Sequence, residues 1–280
     1  MNPIVCLGVD PAPSARRSAV AEFHVKDGKI TPPDRPETLD HSKLRERINA
    51  RNNDCMLLAW DAPLTGPYDL LNPGMNDHPF DFTTRPIERA FSSKKTKPPK
   101  GISVQGYAGC QHWTVTRSLL GLPRVGPFDA EGTPPLPFML IDKFPAKDCP
   151  PRMVVEVHPA LAIWLWVAED LGAQDIRNPG IDLRYKKSRK VRAEVIERLV
   201  SRWHAIGLAS VAEVAANSDY LVESDDALDA YVSGVLAALL ASRNPEASIF
   251  GNKKLGMFLL PANKQIQAEL TQENLTRLVR

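Results

Sequence analysis

The sequence predicts an α/β fold: a central mixed sheet with helices on both faces, interrupted by a long loop-rich insertion. Three observations carry that expectation. Residues 4–10, 55–61 and 152–159 are apolar runs that each bring an acid, and strands apolar on both sides belong in a sheet covered twice. Helical periodicity falls between and after these runs, at 41–51, 161–171 and 225–240. From Thr65 to about Pro151 periodicity gives way to proline, glycine and asparagine. The reading is one domain over residues 1–280, with 65–151 as an insertion within it.

The elements follow in order. Ile4–Asp10 reads as a buried strand closed by an acid and a Pro-Ala-Pro turn. Ser18–Val25 is a second strand, and Asp27-Gly28 turns it toward a short third one near Lys29–Thr31. Residues 41–51 form a short helix with Leu44 and Ile48 on its apolar side. Cys55–Asp61 is again a strand ending on an acid, followed by Ala62-Pro63. Within the insertion stand a helical patch at Arg85–Phe91, a basic run Lys94–Lys100 and a possible helix over Cys110–Leu120. Pro123–Pro151 is dense enough in proline to read as an irregular surface loop. Arg152–Pro159 is a third apolar strand carrying Glu156, and a Trp-rich helix covers Leu161–Leu171. A second basic run, Arg184–Arg192, leads into a helix ending near Trp203. Beyond the helix at 225–240, Lys254–Leu260 is extended and apolar up to Pro261, and the tail Gln265–Arg280 is an amphipathic helix.

Composition narrows the class without naming a partner. Hydrophobic content of 43% and charged content of 24% are those of a globular protein, and a net charge of +2 favours no ligand. The four cysteines are far apart and form no CxxC, so separate reduced thiols in a cytoplasmic protein are expected. No signal peptide is read at the N-terminus, and the longest apolar stretch, Ala160–Ala168, is too short to span a bilayer. A membrane role is not expected.

The acids carry the functional argument. Ser224 suits a helix N-cap, and Asp225 and Asp226 suit the positive end of the dipole. Asp229 lies beyond the first turn among apolar neighbours. It shares a face with Asp226, and that face continues as Ala230, Ser233 and Ala237, small enough for the helix to lie close to a sheet. The pair reads either as a metal-binding face or as an acidic capping turn. Asp10, Asp61 and Glu156 stand at strand ends, where open sheets with helical crossovers place their ligand sites. Singly, an Asp closing a strand before Pro is a turn former. Jointly these oxygen donors fit Mg²⁺ or Mn²⁺, and two such ions cleave phosphodiesters.

The order of strand–Asp, hairpin, helix, strand–Asp, strand–Glu and helical Asp-x-x-Asp resembles the ribonuclease H-like fold, especially its Holliday-junction resolvase branch. The motifs LGVD ending at Asp10, WDAPL around Asp61, EVHPA from Glu156 and DALDA from Asp226 more closely resemble the family called domain of unknown function 429, described as predicted nucleases. The resemblance runs from Ile4 to about Pro261. It implies that Asp10, Asp61, Asp226 and Asp229 are catalytic metal ligands for Mg²⁺ or Mn²⁺. It further implies a metal-dependent nuclease acting on DNA or RNA, and a homodimer by analogy with resolvases. Glu156 is a fifth candidate catalytic acid.

Other residues have two readings each. His158, on the same strand face as Glu156, orients a water or packs structurally. Arg85 and Arg89 bind phosphate oxygens or form a solvated helix with an internal ion pair. The two basic runs hold ten cations, Lys186 and Lys187 among them, and give nucleic-acid attraction or a merely solvated face, with Tyr185 and Tyr107 nearby to stack on bases. Competing functions are an ATP-dependent phosphotransferase of the same superfamily and a catalytically silent nucleic-acid-binding module. The prolines after Asp10 count against the first, because they remove donors from a phosphate loop.

Overall fold

The computed structural model describes residues 3–11, 17–51, 54–64, 85–104, 138–146, 149–253 and 255–278. The sequence-predicted helix at Cys110–Leu120, and Tyr107, lie outside them, as does most of the insertion.

Seven strands form the main sheet. They are β1 (Ile4–Asp10), β2 (Ser18–Lys26), β3 (Lys29–Thr31), β4 (Glu37–Leu39), β5 (Cys55–Trp60), β6 (Met139–Leu140) and β7 (Arg152–Glu156). The order is β3-β2-β1-β5-β7-β6, with β4 paired to the start of β2. β1 runs antiparallel to β2 and parallel to β5, and β5, β7 and β6 are mutually parallel. The expected mixed sheet is therefore present. Its β2–β3 hairpin closes on Asp27 and Gly28, both at positive φ, as that dipeptide turn requires.

Side-chain alternation divides the core in two. On β1, Cys6 faces the larger cluster, whereas Val5, Leu7 and Val9 join the smaller one. β5 repeats the pattern, with Leu57 and Ala59 on the first side and Met56, Leu58 and Trp60 on the second. α1 (His41–Asn49) covers the second side through Leu44 and Ile48, after an N-cap in which Asp40 accepts from the Lys43 N–H. On the first side lie α3 (Pro159–Asp170), α4 (Arg189–Ala205), α5 (Ala209–Ala216) and α7 (Asp225–Ala241), the last two joined by the short α6 (Asp219–Glu223). Trp166, Trp203, Tyr231 and Phe23 form a chain of ring contacts from α3 through α4 and α7 to β2, with centroids 5.1–5.8 Å apart.

α7 lies unusually close to the sheet. A Cβ built on Gly8 would stand 2.1 Å from the Ala230 carbonyl oxygen and from the Gly234 nitrogen, and one on Gly234 would strike the Phe23 ring. Only hydrogen at both positions permits this approach. Small residues on the helix face, seen in the sequence, have this purpose.

The chain closes with a hairpin of β8 (Ala247–Asn252) and β9 (Gly256–Pro261), joined to the main sheet by one parallel bridge from Val157 to Leu259. The expected single tail helix is two short ones, α8 (Lys264–Glu269) and α9 (Gln272–Arg277), because Thr271 starts a new N-cap and interrupts the run. Two cysteines depart from expectation. Cys55 and Cys149 are joined in a disulfide, their Cα atoms 6.5 Å apart, because the start of β5 runs beside the chain entering β7. Cys6 is a buried free thiol, as expected. Among the described residues no helix is long and apolar enough to cross a membrane.

Gly8→Ala tests the close approach. The added methyl meets backbone, which cannot rotate away, so we expect a loss of roughly 1–3 kcal/mol in urea-induced unfolding. An unchanged midpoint would show that the helix can lift from the sheet without cost.

Candidate metal centre

Asp10 and Asp61 stand side by side at the carboxyl ends of parallel neighbours. The register pairs Val9 with Trp60, and the Asp61 N–H extends the ladder by donating to the Val9 carbonyl at 2.9 Å. Asp10 follows Cys6 and Gly8, and Asp61 follows Leu57 and Ala59, so both acids fall on the side covered by α7. The glycine-mediated approach of α7 then delivers Asp229 to the same place. The three carboxylates each bring an oxygen within 4.8 Å of the others. Asp229 is fully buried, Asp61 nearly so and Asp10 partly.

Such an arrangement is electrostatically unfavourable unless neutralised. Burial, then the charges of Asp61 and Asp229, hold the Asp10 carboxyl well above the ordinary carboxylate range. Burial also raises Asp229, against the pull of Lys186. The Tyr185 hydroxyl donates to Asp229 Oδ1 at 2.6 Å, and the Lys186 Nζ stands 2.6 Å from Asp229 Oδ2. Burial and the neighbouring Asp229 raise the Tyr185 phenol far above its usual value, so it remains a donor. Burial opposes the charge of Lys186, but Asp229, with Asp61 and Asp10, outweighs it and keeps the ammonium protonated. Behind them the buried Arg192 guanidinium donates to the carbonyls of Tyr185, Val222 and Glu223, fixing the 185–186 turn against the start of α7.

Several sequence expectations are corrected by this geometry. Tyr185 is completely buried and bonded to Asp229, so it offers no face for stacking on a base. Lys186, expected on a phosphate, is an internal counter-ion. Asp226 shares the helix face with Asp229 but is exposed in the first turn of α7 and does not join the three-carboxylate group. It acts on Asp10 only weakly, through its charge. Lys187 is exposed beside Lys186, as a surface cation should be.

Glu156 is on the other side of the sheet. It pairs in register with Trp60, which faces the second core, so strand alternation separates it from Asp10 and Asp61. Its carboxylate accepts from the Leu64 N–H at 2.8 Å and from both terminal nitrogens of Arg85 at 2.9 and 2.6 Å. Arg85 also holds Glu88, and its guanidinium lies 5.5 Å from the Phe258 ring centroid. Arg85 is thus a buried structural cation and not a phosphate ligand. Arg89 points to the C-terminal end, donating to the Leu278 carbonyl at 2.9 Å. His158 leaves the strand as the N-cap residue of α3 and meets Phe258 edge-on at 5.5 Å. Burial, then Lys186 and Arg85, press its pKa down to about 3, so it is a neutral ring packed between the two ionic clusters.

The residues that sequence reasoning missed are Tyr185, Lys186 and Arg192 in their actual roles. One signal was present: an aromatic and a lysine within a basic run that enters a helix, ahead of an acid otherwise left buried among apolar residues.

Comparison with known proteins adds one finding. The family model described as "protein of unknown function (DUF429)" matches residues 141–254, which carry Glu156, Tyr185, Lys186 and Asp229 but not Asp10 or Asp61. No curated protein and no solved structure matches the chain.

Two outcomes test the electrostatics. Arg85→Met leaves Glu156 and Glu88 buried without their cation, and we expect it to cost roughly 3–5 kcal/mol in urea unfolding. In metal-free buffer Asp10→Asn should stabilise the fold near neutral pH. The wild-type carboxyl holds its proton to higher pH folded than unfolded, so stability is fullest below the ordinary carboxylate range and falls as pH rises through the raised folded value. The advantage of the Asn variant should therefore vanish on acidification. A pH-independent difference would place the cause elsewhere.

Proposed function

Residues 141–254 place this chain in the family DUF429, and we propose that it is a divalent-metal-dependent phosphodiester hydrolase acting on nucleic acid. The observation that carries this reading is the meeting of Asp10, Asp61 and Asp229 at the carboxyl ends of two parallel strands. The donor set suits the ion. Three carboxylates offer hard oxygens of the kind Mg²⁺ and Mn²⁺ take, and the raised Asp10 carboxyl marks a shortage of positive charge that a cation would relieve.

Asp10, Asp61 and Asp229 hold the metal. A bound Mg²⁺ or Mn²⁺ supplies a Lewis acid at the phosphoryl oxygen and an acidified water as nucleophile. Tyr185 and Lys186 keep Asp229 ionised and oriented, and Arg192 keeps those two in place. The hydrogen-bonded turn at Lys187 carries exposed cations, Lys187 and Lys190, on the same segment as the counter-ion of the acids. Cations there favour a polyanionic substrate whose backbone is gripped without reading its sequence. The exposed pairs Arg184–Asp182 and Arg189–Glu223 are weak enough in water to yield to phosphates. The phosphotransferase reading is less well supported, since Pro11 directly after Asp10 has no N–H to offer a phosphate.

Calorimetry and thermal unfolding with Mn²⁺ test the proposal. Wild-type protein should bind Mn²⁺ and gain about 2.7 kcal/mol of stability at a free concentration a hundred times the dissociation constant. Asp10→Asn, Asp61→Asn and Asp229→Asn should each lose the binding heat and the cleavage of single- and double-stranded DNA and RNA, whereas Asp226→Asn keeps both. Binding that survives in all three variants would sink the metal centre. Binding without cleavage of any of these substrates would leave a metal-binding module and remove the hydrolase.

A further inference from the structure

We infer that the Lys186 ammonium takes the place of a second cation in the acid cluster, so that the centre accepts one divalent ion and not two. The inference rests on the metal-centre reading above and specifies its stoichiometry.

Three observations support it. First, Lys186 Nζ is already seated on the cluster, 2.6 Å from the oxygen of Asp229 that Tyr185 does not use. It also interacts favourably with Asp61 and Asp10, so it belongs to the whole group and not to one pair. Second, its seat is built. Tyr185 is wholly buried next to it in the chain, its hydroxyl is bonded to Asp229, and Arg192 holds the Tyr185 carbonyl from behind. A flexible surface lysine would not have its backbone fixed by a buried guanidinium. Third, the charges fit. Among the described residues the groups that meet here are three carboxylates and one ammonium, which leaves the equivalent of one divalent ion to reach neutrality. A second divalent ion beside the ammonium would place an excess of positive charge in a partly desolvated site, where like charges repel strongly. The nearest other buried cation, Arg85, is bonded to Glu88 and Glu156 on the far side of the sheet and cannot substitute.

The consequence for chemistry is a division of labour. The ion activates and polarises, while the fixed ammonium gives the cluster a permanent positive charge that needs no second ion from solution. Lys186 is a positioning residue in this account, since it contacts a ligand carboxylate.

Mn²⁺ stoichiometry decides the matter without any activity measurement. Calorimetry, with free Mn²⁺ followed by electron paramagnetic resonance, is performed on wild type, Lys186→Arg, Lys186→Met and the neighbouring control Lys187→Met. Wild type, Lys186→Arg and Lys187→Met should bind one ion each. Lys186→Met should bind two, the second more weakly, with circular dichroism unchanged. Two ions in wild type overturn the inference while leaving the metal centre intact. So does Lys186→Met that binds a single ion with wild-type affinity. Absence of Mn²⁺ binding in wild type overturns the centre and the inference together. Should Lys186→Met fail to fold, wild type and Lys186→Arg still decide, because two ions in either defeat the idea.

Discussion

The structure depends on a backbone-to-backbone contact, the seating of α7 on β1 at Gly8 and Gly234. Every other feature of the acid cluster follows from it. Asp10 and Asp61 meet by sheet register alone, but the third acid comes from a helix, and its distance from them is set by how closely that helix lies. Ala230 and Ser233 on the same face keep the gap narrow, and the Ser233 hydroxyl folds back on the Asp229 carbonyl at 2.7 Å and does not stand off the sheet. A methyl at either glycine would part the layers and draw Asp229 away.

The two ionic clusters, one on each side of the sheet, are satisfied to different degrees. At Glu156 both oxygens are hydrogen-bonded, the partners being a guanidinium and a backbone N–H, as a buried structural carboxylate requires. At Asp10 the balance is left negative, and its carboxyl is displaced upward as a result. A fold that leaves charge uncompensated in one place while compensating it fully in another has a use for the first. The same sheet thus separates an electrostatic joint from an electrostatic site by nothing more than strand alternation.

That alternation also explains what the sequence disclosed and what it concealed. The strands at 4–10, 55–60 and 152–156 and the helix from Ser224 were legible because apolar runs and a capped, periodic segment are local signals. Asp10, Asp61 and Asp229 were legible as acids in unusual surroundings. Glu156 was misplaced, although parity had the information: it stands opposite Trp60 and not Asp61, a matter of register that no single strand reveals. Arg85 and Lys186 looked like surface cations because a cation's partner lies far away in sequence, 71 residues for Glu156. The short strands β4, β6 and β8 escaped because two to six residues of edge pairing carry little periodicity of their own. The Cys55–Cys149 disulfide escaped for the same reason as the ion pairs, with a separation of 94.

Glu156 has one more property when seen along the chain. It accepts from the N–H of Leu64 and from the side chain of Arg85, the residues that bound the stretch 65–84. One carboxylate therefore fastens both ends of that stretch to the end of β7. The entropy of closing a loop grows only with the logarithm of its length, about 0.6 kcal/mol per doubling. With entry and exit pinned to a common point inside the core, residues between them can be added, removed or exchanged while the sheet and the acids beyond it feel almost nothing. The boundary of the insertion is in this sense a socket, with Glu156 at its base.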